Sequence, residues 1–257
     1  MFLKELKLVN FKNYTQEKFN FSNKVVSISG DNGMGKTNIL DAIYYLAMGK
    51  SYMVSNDKNL VYTDQSFFRM DAIFEDNGND THLVIKYRLG AAKEIELDGI
   101  RISKLADHIG VIPVVFITPD DVHNLLAGNE DRRVFINNTM VQHDAAYLEA
   151  LTLYNRNLKQ RNALLKDFAD KQYWDQDLID VITSAMAAPA NYLYNKRKEL
   201  TNSFSPVLQR YYDQISDGRE KVALIYSSQL DTEDFLQLSR AAQHKDKYTQ
   251  RTSVGIH

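Results

Sequence analysis

The strongest constraint on the fold is an octapeptide that fits the pattern G-x-x-x-x-G-K-[ST] at every fixed position. Its residues are Gly30, Asp31, Asn32, Gly33, Met34, Gly35, Lys36 and Thr37. Glycines let successive backbone N–H groups approach a phosphate chain that a side chain would keep away. The lysine places a positive charge at the β- and γ-phosphates, and the threonine hydroxyl is a ligand for Mg²⁺. The octapeptide therefore predicts binding of a nucleoside triphosphate.

The residues on both sides of this loop predict a strand followed by a helix. Residues 24–29 (KVVSIS) form a short apolar run in which three residues are β-branched, as a buried strand prefers. The apolar residues after the loop recur at helical spacing; they are Ile39, Leu40, Ile43, Leu46 and Ala47. A strand, loop and helix in this order is the arrangement that phosphate binding requires. The alternative is a glycine-rich turn that ends by chance in Lys-Thr.

The composition is that of an ordinary globular protein and gives no support to a strongly basic surface. The chain has 257 residues, of which 44% are hydrophobic and 25% are charged, and its net charge is -2. This charge is evenly spread, because residues 1–120 and 121–257 each sum to -1. Nucleic-acid-binding proteins often carry an excess of Lys and Arg. We therefore expect any nucleic-acid site to be a local patch.

The residue types that are rare or absent exclude several other classes of site. There is no cysteine, which excludes disulfides and thiolate metal sites and agrees with a reducing compartment. The six histidines are scattered without metal-ligand spacing, so zinc has no support. The longest purely apolar run, residues 111–117, is far shorter than a membrane span, and the N-terminus lacks a signal-peptide core. We expect a cytoplasmic protein with no membrane partner.

Strand patterns dominate the first part of the chain. Alternating apolar and charged residues predict a strand over residues 2–9, and Phe19 and Phe21 resume the pattern, so two strands precede the loop. Further strands are predicted over residues 70–74, 83–87, 95–102, 111–117 and 221–227. Asp98-Gly99 lies in the middle of one of these stretches. It is the strongest hairpin signal, because the turn needs positive φ at both central residues.

From Pro119 onward helical periodicity dominates. A helix is predicted to begin near Asp144, a plausible N-cap. Its predicted seam is coiled-coil-like, with a leucine at every seventh residue and two polar companions; the seam residues are Leu148, Leu151, Asn155, Leu158, Asn162 and Leu165. A second helix is predicted from Asp177 to Leu200 with an interruption at Pro189, and a further one over residues 231–242.

Basic residues recur on one side of the first of these helices. Arg156, Lys159 and Lys166 fall within about 80° of one another at 100° per residue, and no acid lies between them in the sequence. Such a stripe suits a phosphate backbone. A solvated helix face explains the same pattern, and the sequence leaves both interpretations open.

Six motifs together resemble the RecF family of bacterial DNA replication and repair ATPases. They are residues 6–14 (LxLxNFKNY), 30–51 (GDNGMGKTNILDAIYYLAMGKS), 116–121 (FITPDD), 131–137 (DRRVFIN), 158–166 (LKQRNALLK) and 252–257 (TSVGIH). The resemblance covers the whole chain. That family is related to the heads of SMC proteins and, more distantly, to ABC transporter ATPases.

The resemblance implies an α/β fold, an ABC/SMC-type P-loop NTPase head with an antiparallel β subdomain and a helical second lobe. The implied domains are a P-loop ATPase lobe over residues 1–119, a helical lobe over 120–216 and an incomplete return toward the ATPase lobe over 217–257. Family members continue past the final motif into the signature motif and the Walker B strand, so we expect the C-terminal part to be missing. Asp120 and Asp121 follow apolar residues but fit a loop between lobes better than a Walker B acid.

The resemblance also implies cofactors and partners. ATP and Mg²⁺ would bind at residues 30–37, with Lys12 and Asn13 as weaker candidates for nucleotide contact. ATP would join two heads into a homodimer that acts at single-strand/double-strand junctions or linear duplex DNA, with RecO and RecR as partners in recombinational repair and the SOS response. Because the Walker B acids are missing, we expect ATP binding without efficient hydrolysis. A small-molecule kinase and a transporter ATPase subunit are the alternatives.

Overall fold

The fold comprises two compact units, Met1–Val122 and His123–His257, which we call the N-terminal and C-terminal units. A computed structural model describes residues 1–121 and 128–256 of the chain. His123 and His257, two of the six histidines considered above, lie outside these described residues. The division lies close to Pro119, where strand patterns give way to helical ones. The finer division into three domains stays a prediction.

The N-terminal unit is built on one antiparallel sheet with the strand order β2-β1-β3-β4-β5-β6. Its strands are β1 (Phe2–Phe11), β2 (Tyr14–Asn20), β3 (Phe67–Asp76), β4 (Asn79–Arg88), β5 (Glu94–Leu97) and β6 (Ile100–Ile102). Leu6 and Leu8 are buried on the same face, as the period of two requires. Asp98 and Gly99 both have positive φ and form the predicted turn between β5 and β6. The predicted antiparallel β subdomain is confirmed.

Helix α1 (Lys36–Met48) supplies part of the core of this unit. The Phe68 ring of β3 lies edge-on to Tyr45 of α1 and to Phe11 of β1, with both centroid distances at 5.6 Å. Gly49 ends the helix in the left-handed region, and its N–H donates to the Tyr45 carbonyl at 2.8 Å. His108 is fully buried near this helix end, with its Nε2 at 2.7 Å from the Leu46 carbonyl. Burial lowers the pKa of this imidazole.

Three segments predicted as strands have no strand structure; they are residues 24–29, 111–117 and 221–227. Each segment exposes at least one large apolar side chain, with Val25 at 88%, Val115 at 79% and Ile225 at 88%, although Ile112 is buried. Within residues 1–121 and 128–256, no strand pairs with any of the three. The predictions are wrong because β-branched composition supplies strand propensity but cannot supply the neighbouring backbone that a strand must bond.

The C-terminal unit is helical. Its helices are α2 (Asn129–His143), α3 (Ala145–Asp170), α4 (Gln176–Ser216), α5 (Phe235–Ala241) and α6 (Gln243–Thr249). Asp144 is the N-cap of α3, and its Oδ1 accepts from the Tyr147 N–H at 2.9 Å, which confirms the predicted start. None of the helices in residues 1–121 and 128–256 combines the length and the apolar character that a membrane span needs.

The buried seam of α3 is rotated from the predicted leucine register. The residues that recur every seventh position with 5% exposure or less are Tyr147, Tyr154, Arg161 and Phe168. Asn155, predicted as a seam residue, is exposed, and of the predicted leucines only Leu165 is fully buried. The prediction was wrong because it followed the leucine repeat alone, whereas the buried positions are taken by two tyrosines, a phenylalanine and an arginine with its own partners.

Arg161 of α3 contacts three other parts of the C-terminal unit. Its Nη1 lies 2.7 Å from Asp246 Oδ2 and 2.8 Å from Thr252 Oγ1, and its Nε donates to Thr183 Oγ1 at 2.9 Å. Arg161 and Asp246 are each 1% exposed. A buried ion pair needs such additional hydrogen bonds to offset its loss of hydration. The guanidinium therefore holds α3, α4, α6 and the segment after α6 together.

Helix α4 runs through Pro189, where the sequence predicted an interruption. Proline has no N–H, so the carbonyl of the residue four positions earlier loses its helical donor. That residue is Ala185, and its carbonyl accepts a hydrogen bond from Asn157 Nδ2 of α3 at 3.3 Å. The predicted interruption is wrong because a side chain of the neighbouring helix replaces the missing donor.

Replacing Asn157 with leucine should destabilise the C-terminal unit, because it removes the donor of the Ala185 carbonyl, whose helical donor Pro189 already lacks. The net contribution of such a hydrogen bond is about 0.5–1.5 kcal/mol. The free energy of unfolding, measured in urea, should fall by this amount in Asn157→Leu. The matched control is Asn155→Leu, an exposed asparagine on the same helix, which should change stability by no more than about 0.5 kcal/mol. Equal effects of the two substitutions would refute this role.

Stability should also fall on acidification through His108. The ordinary pKa of histidine is about 6.5, and the folded-state pKa of His108 is lower. Between these two pKa values the imidazole binds a proton in the unfolded chain but not in the folded chain. The contribution of neutral His108 to the free energy of unfolding is therefore full above about pH 6.5 and declines as pH falls from there to the folded-state pKa. Urea unfolding at stepped pH should show this decline reduced in His108→Gln. The exposed His244→Gln should keep the full decline; a pH dependence unchanged in His108→Gln would contradict the assignment.

Candidate nucleotide-binding site

The phosphate loop is held by three glycines and by the lysine that follows them. Gly30, Gly33 and Gly35 have φ angles of 145°, 85° and 96°, which L side chains rarely adopt. The Lys36 ammonium lies inside the loop, with Nζ 2.7 Å from the carbonyls of both Gly30 and Asp31. The loop therefore curves around the Lys36 ammonium, the positive charge that the sequence predicts to contact the phosphates.

The loop passes directly into α1. The N–H groups of Asn38 and Ile39 donate to the Gly35 carbonyl at 2.8 Å and 3.2 Å, which starts the helix at the end of the octapeptide. The positive end of a helix dipole attracts anions at such a position. Thr37 is exposed in this first turn, where its hydroxyl is accessible to a metal ion. Its role as a Mg²⁺ ligand stays a prediction.

The turn between β1 and β2 supports the loop from one side. Tyr14 Oη donates to the Gly35 carbonyl at 3.0 Å, and Asn13 Nδ2 donates to the Met34 carbonyl at 3.2 Å. Asn38 Nδ2 in turn donates to Asn13 Oδ1 at 2.7 Å. A Cβ atom on Gly35 would lie 2.4 Å from Asn13 Nδ2 and 2.8 Å from Tyr14 Oη. Glycine is therefore needed at position 35 for this close approach as well as for its backbone angle.

Lys12 contacts a buried carboxylate of helix α1. Its Nζ lies 2.7 Å from Asp41 Oδ2, and the Asp41 side chain has no exposed surface. Asp41 also accepts from Ser51 Oγ and from the Tyr52 N–H, both at 2.7 Å. This pair ties the β1–β2 turn to α1 and to the segment after it. Contact of Lys12 with a nucleotide stays a prediction.

The side chains of the other predicted loop residues are open to solvent. Asp31, Asn32 and Met34 are exposed along the loop. Sequence reasoning missed Tyr14 and Asp41, which position the loop and α1. A lone acid among the apolar residues of a helix was the available signal for Asp41, since acids are almost never fully buried unless paired.

Asp121 is occupied by hydrogen bonds. Its Oδ2 accepts from the N–H and the hydroxyl of Thr118 at 2.5 Å and 2.8 Å, and its Oδ1 accepts from the Tyr52 hydroxyl. Burial raises the pKa of Asp121, but these hydrogen bonds outweigh that effect and hold the pKa below its usual range. The Tyr52 ring also packs against Phe116, with centroids 4.5 Å apart. These contacts favour a structural role for residues 116–121, of which residues 119–121 are helical.

Comparisons with known proteins agree with this geometry. The family model described as an AAA domain matches residues 5–250. The DNA replication and repair protein RecF of Flavobacterium johnsoniae is 37% identical over 257 residues, which are 100% of this chain and 72% of that protein. The RecF proteins of Parabacteroides distasonis and Porphyromonas gingivalis are 35% and 36% identical, and all of this chain aligns with 69% and 70% of their lengths.

Solved structures match the fold as well. A structure of the recombination mediator protein RecF-ATPrS in the RecFOR pathway superposes with a TM-score of 0.91 at 24% identity. The match covers 99% of this chain and 71% of the solved one. A second structure, of RecF-ATP in the same pathway, has a TM-score of 0.87, also at 24% identity, over 99% of this chain and 70% of the other. The mixed α/β fold predicted from the sequence is confirmed.

Replacing Lys12 with methionine should destabilise the N-terminal unit, because the Asp41 carboxylate stays buried without its charge partner. Breaking a buried ion pair in this way costs about 3–5 kcal/mol. The free energy of unfolding of Lys12→Met, measured in urea, should fall by this amount. The control is Lys18→Met: the Lys18–Glu5 pair is also 2.7 Å long, but its lysine side chain is 53% exposed, so the loss should be at most about 1 kcal/mol. Similar losses in both variants would show that the buried pair is not stabilising.

Proposed function

The chain belongs to the RecF family of DNA replication and repair proteins, and we propose that it binds ATP with Mg²⁺ at residues 30–37. The observation that carries this proposal is the position of Lys36, whose ammonium lies within a loop of three glycines with positive φ. Solved RecF structures at 24% identity include RecF-ATPrS and RecF-ATP. The same loop in this chain is the natural site for that nucleotide.

Each part of the loop has its own role in this proposal. The backbone N–H groups surround the β- and γ-phosphates, and Lys36 supplies the charge that neutralises them. Thr37 would hold Mg²⁺ through its hydroxyl, as this position does in phosphate-loop proteins generally. Asn13 and Tyr14 keep the loop in shape through the carbonyls of Met34 and Gly35. Substitutions in the β1–β2 turn would therefore act on the nucleotide indirectly.

The biological role follows from family membership. We propose an ATP-dependent homodimer that holds DNA at gapped or single-strand/double-strand junctions during recombinational repair and the SOS response. RecO and RecR are the expected protein partners, since the solved RecF structures are described within the RecFOR pathway. A cytoplasmic location stays a prediction. The relatives reported above are RecF proteins, and none of them supports the kinase or the transporter alternative.

We also propose that this chain hydrolyses ATP poorly. Phosphoryl transfer needs a residue that orients the attacking water. Asp121, the nearest acid to a Walker B arrangement in the sequence, already accepts hydrogen bonds from Thr118 and Tyr52. A carboxylate held in this way is a poor base, because its pKa lies below the usual range.

Replacing Lys36 with alanine should abolish measurable nucleotide binding. The substitution removes a charge-assisted contact of about 1.5–3 kcal/mol, equivalent to a loss of roughly 10- to 150-fold in affinity. A fluorescent-ATP titration in the presence of Mg²⁺ measures this directly. The control is Lys24→Ala, an exposed lysine six positions before the loop, which should leave the affinity unchanged. Wild-type affinity in Lys36→Ala would disprove the assignment of the loop.

Three assays separate the repair role from the alternatives. Gel shifts with gapped DNA and ATP–Mg²⁺ should show a complex if the chain acts on DNA, and sizing should show whether ATP joins two chains. Phosphate transfer to nucleoside monophosphates would instead support a kinase. Co-fractionation with membranes would support a transporter subunit.

A further inference from the structure

One face of α3 carries three exposed cations, Arg156, Lys159 and Lys166, which we call the basic stripe. At 100° per residue, each of them lies about 140–160° around the helix axis from the buried Arg161. The stripe therefore lies opposite the seam that packs within the C-terminal unit. Between Arg156 and Lys166 the only other residue on this face is Ala163; Thr152 and Asp170 lie on the same face before and after the stripe.

In the part of the chain that the structure describes, the three cations of the basic stripe have no acid partners. Within residues 1–121 and 128–256, no acid lies within 4.0 Å of the charged groups of Arg156, Lys159 or Lys166. Cations of the unit that do have acid partners include Arg133, Lys171, Lys196, Lys198 and Arg219. Unpaired cations exchange their counterions for phosphates without first breaking an internal contact.

A fourth cation comes from another part of the chain. Arg251 precedes Thr252, whose N–H donates to Asn162 Oδ1 at 2.8 Å. Asn162 lies one helical turn from both Lys159 and Lys166. The backbone at Arg251 is therefore fixed beside the turn of α3 that separates these two lysines. Because Arg161 also holds Thr252, the buried network sets the position of this additional charge.

We propose that the basic stripe, extended by Arg251, binds the backbone phosphates of duplex DNA without reading its sequence. This inference rests on the proposed DNA-repair function and assigns its DNA contact to the C-terminal unit. From Arg156 to Lys166 the helix rises about 15 Å, which matches the axial length of about four base pairs. Between Arg156 and Lys166 this face of α3 carries no large apolar residue, which disfavours a membrane surface, because membrane binding requires apolar burial.

The test removes the three charges of the basic stripe and compares the effect on DNA binding with the removal of three other charges in the same unit. The stripe variant is Arg156→Gln/Lys159→Gln/Lys166→Gln, and the control variant is Lys196→Gln/Lys198→Gln/Arg219→Gln, which removes the same charge from cations that already have acid partners. Fluorescence anisotropy measures binding of the full chain, with ATP–Mg²⁺, to a labelled duplex at several salt concentrations. ATP affinity is measured separately for each variant.

The stripe variant should lose about two to three units of the slope of log K against log salt, and roughly 50-fold or more in affinity at 0.1 M salt. The control should keep the wild-type slope, and both variants should bind ATP normally. A wild-type slope in the stripe variant, or a loss equal to that of the control, would overturn the inference while the proposed function stands. If the wild-type chain binds ATP but no duplex, the inference and the DNA role both fail. Failure of ATP binding itself would refute the proposed function independently.

Discussion

The N-terminal unit depends on the buried ion pair between Lys12 and Asp41. The lysine belongs to the turn between β1 and β2, and the aspartate belongs to α1, the helix that follows the phosphate loop. Their 2.7 Å contact therefore joins the segment before the loop to the helix after it. The same carboxylate accepts from Ser51 and from the backbone of Tyr52. The Tyr52 hydroxyl in turn donates a hydrogen bond to Asp121, near the C-terminal end of the unit in the sequence. The buried Asp41 carboxylate thus positions helix α1. Because this support comes from a side chain, the backbone N–H groups of the glycine-rich loop remain free to bind phosphate.

The sequence was sufficient where a feature depends on local chemistry. The turn at Asp98-Gly99 and the cap at Asp144 each follow from the conformational preferences of a few adjacent residues, and each was predicted correctly in position. The sequence pattern predicts residues 30–37 as the phosphate site, but it does not reveal the roles of Tyr14 and Asp41. Their roles depend on partners that are distant in sequence. No spacing rule reveals that a tyrosine of one strand supports a carbonyl of the loop.

The errors have a common physical origin. Residues 24–29, 111–117 and 221–227 have the composition of strands, but a strand also needs a neighbouring backbone, and composition does not encode one. The leucine repeat did not reveal Arg161 as a buried residue, because an isolated guanidinium group is costly to bury. Its actual partners, Asp246 and Thr252, lie more than eighty residues away in the sequence. Propensity predicts what a segment can form, and long-range pairing decides what it does form.

The hydrogen bond from Asn157 to the Ala185 carbonyl has a consequence for how this family can vary. The amide is useful only because Pro189 removes the donor that a helix normally supplies. In a relative with any other residue at the position of Pro189, the backbone N–H would occupy that carbonyl, and selection for an amide at the position of Asn157 would relax. The two positions are therefore expected to covary across the RecF family, although they lie on different helices.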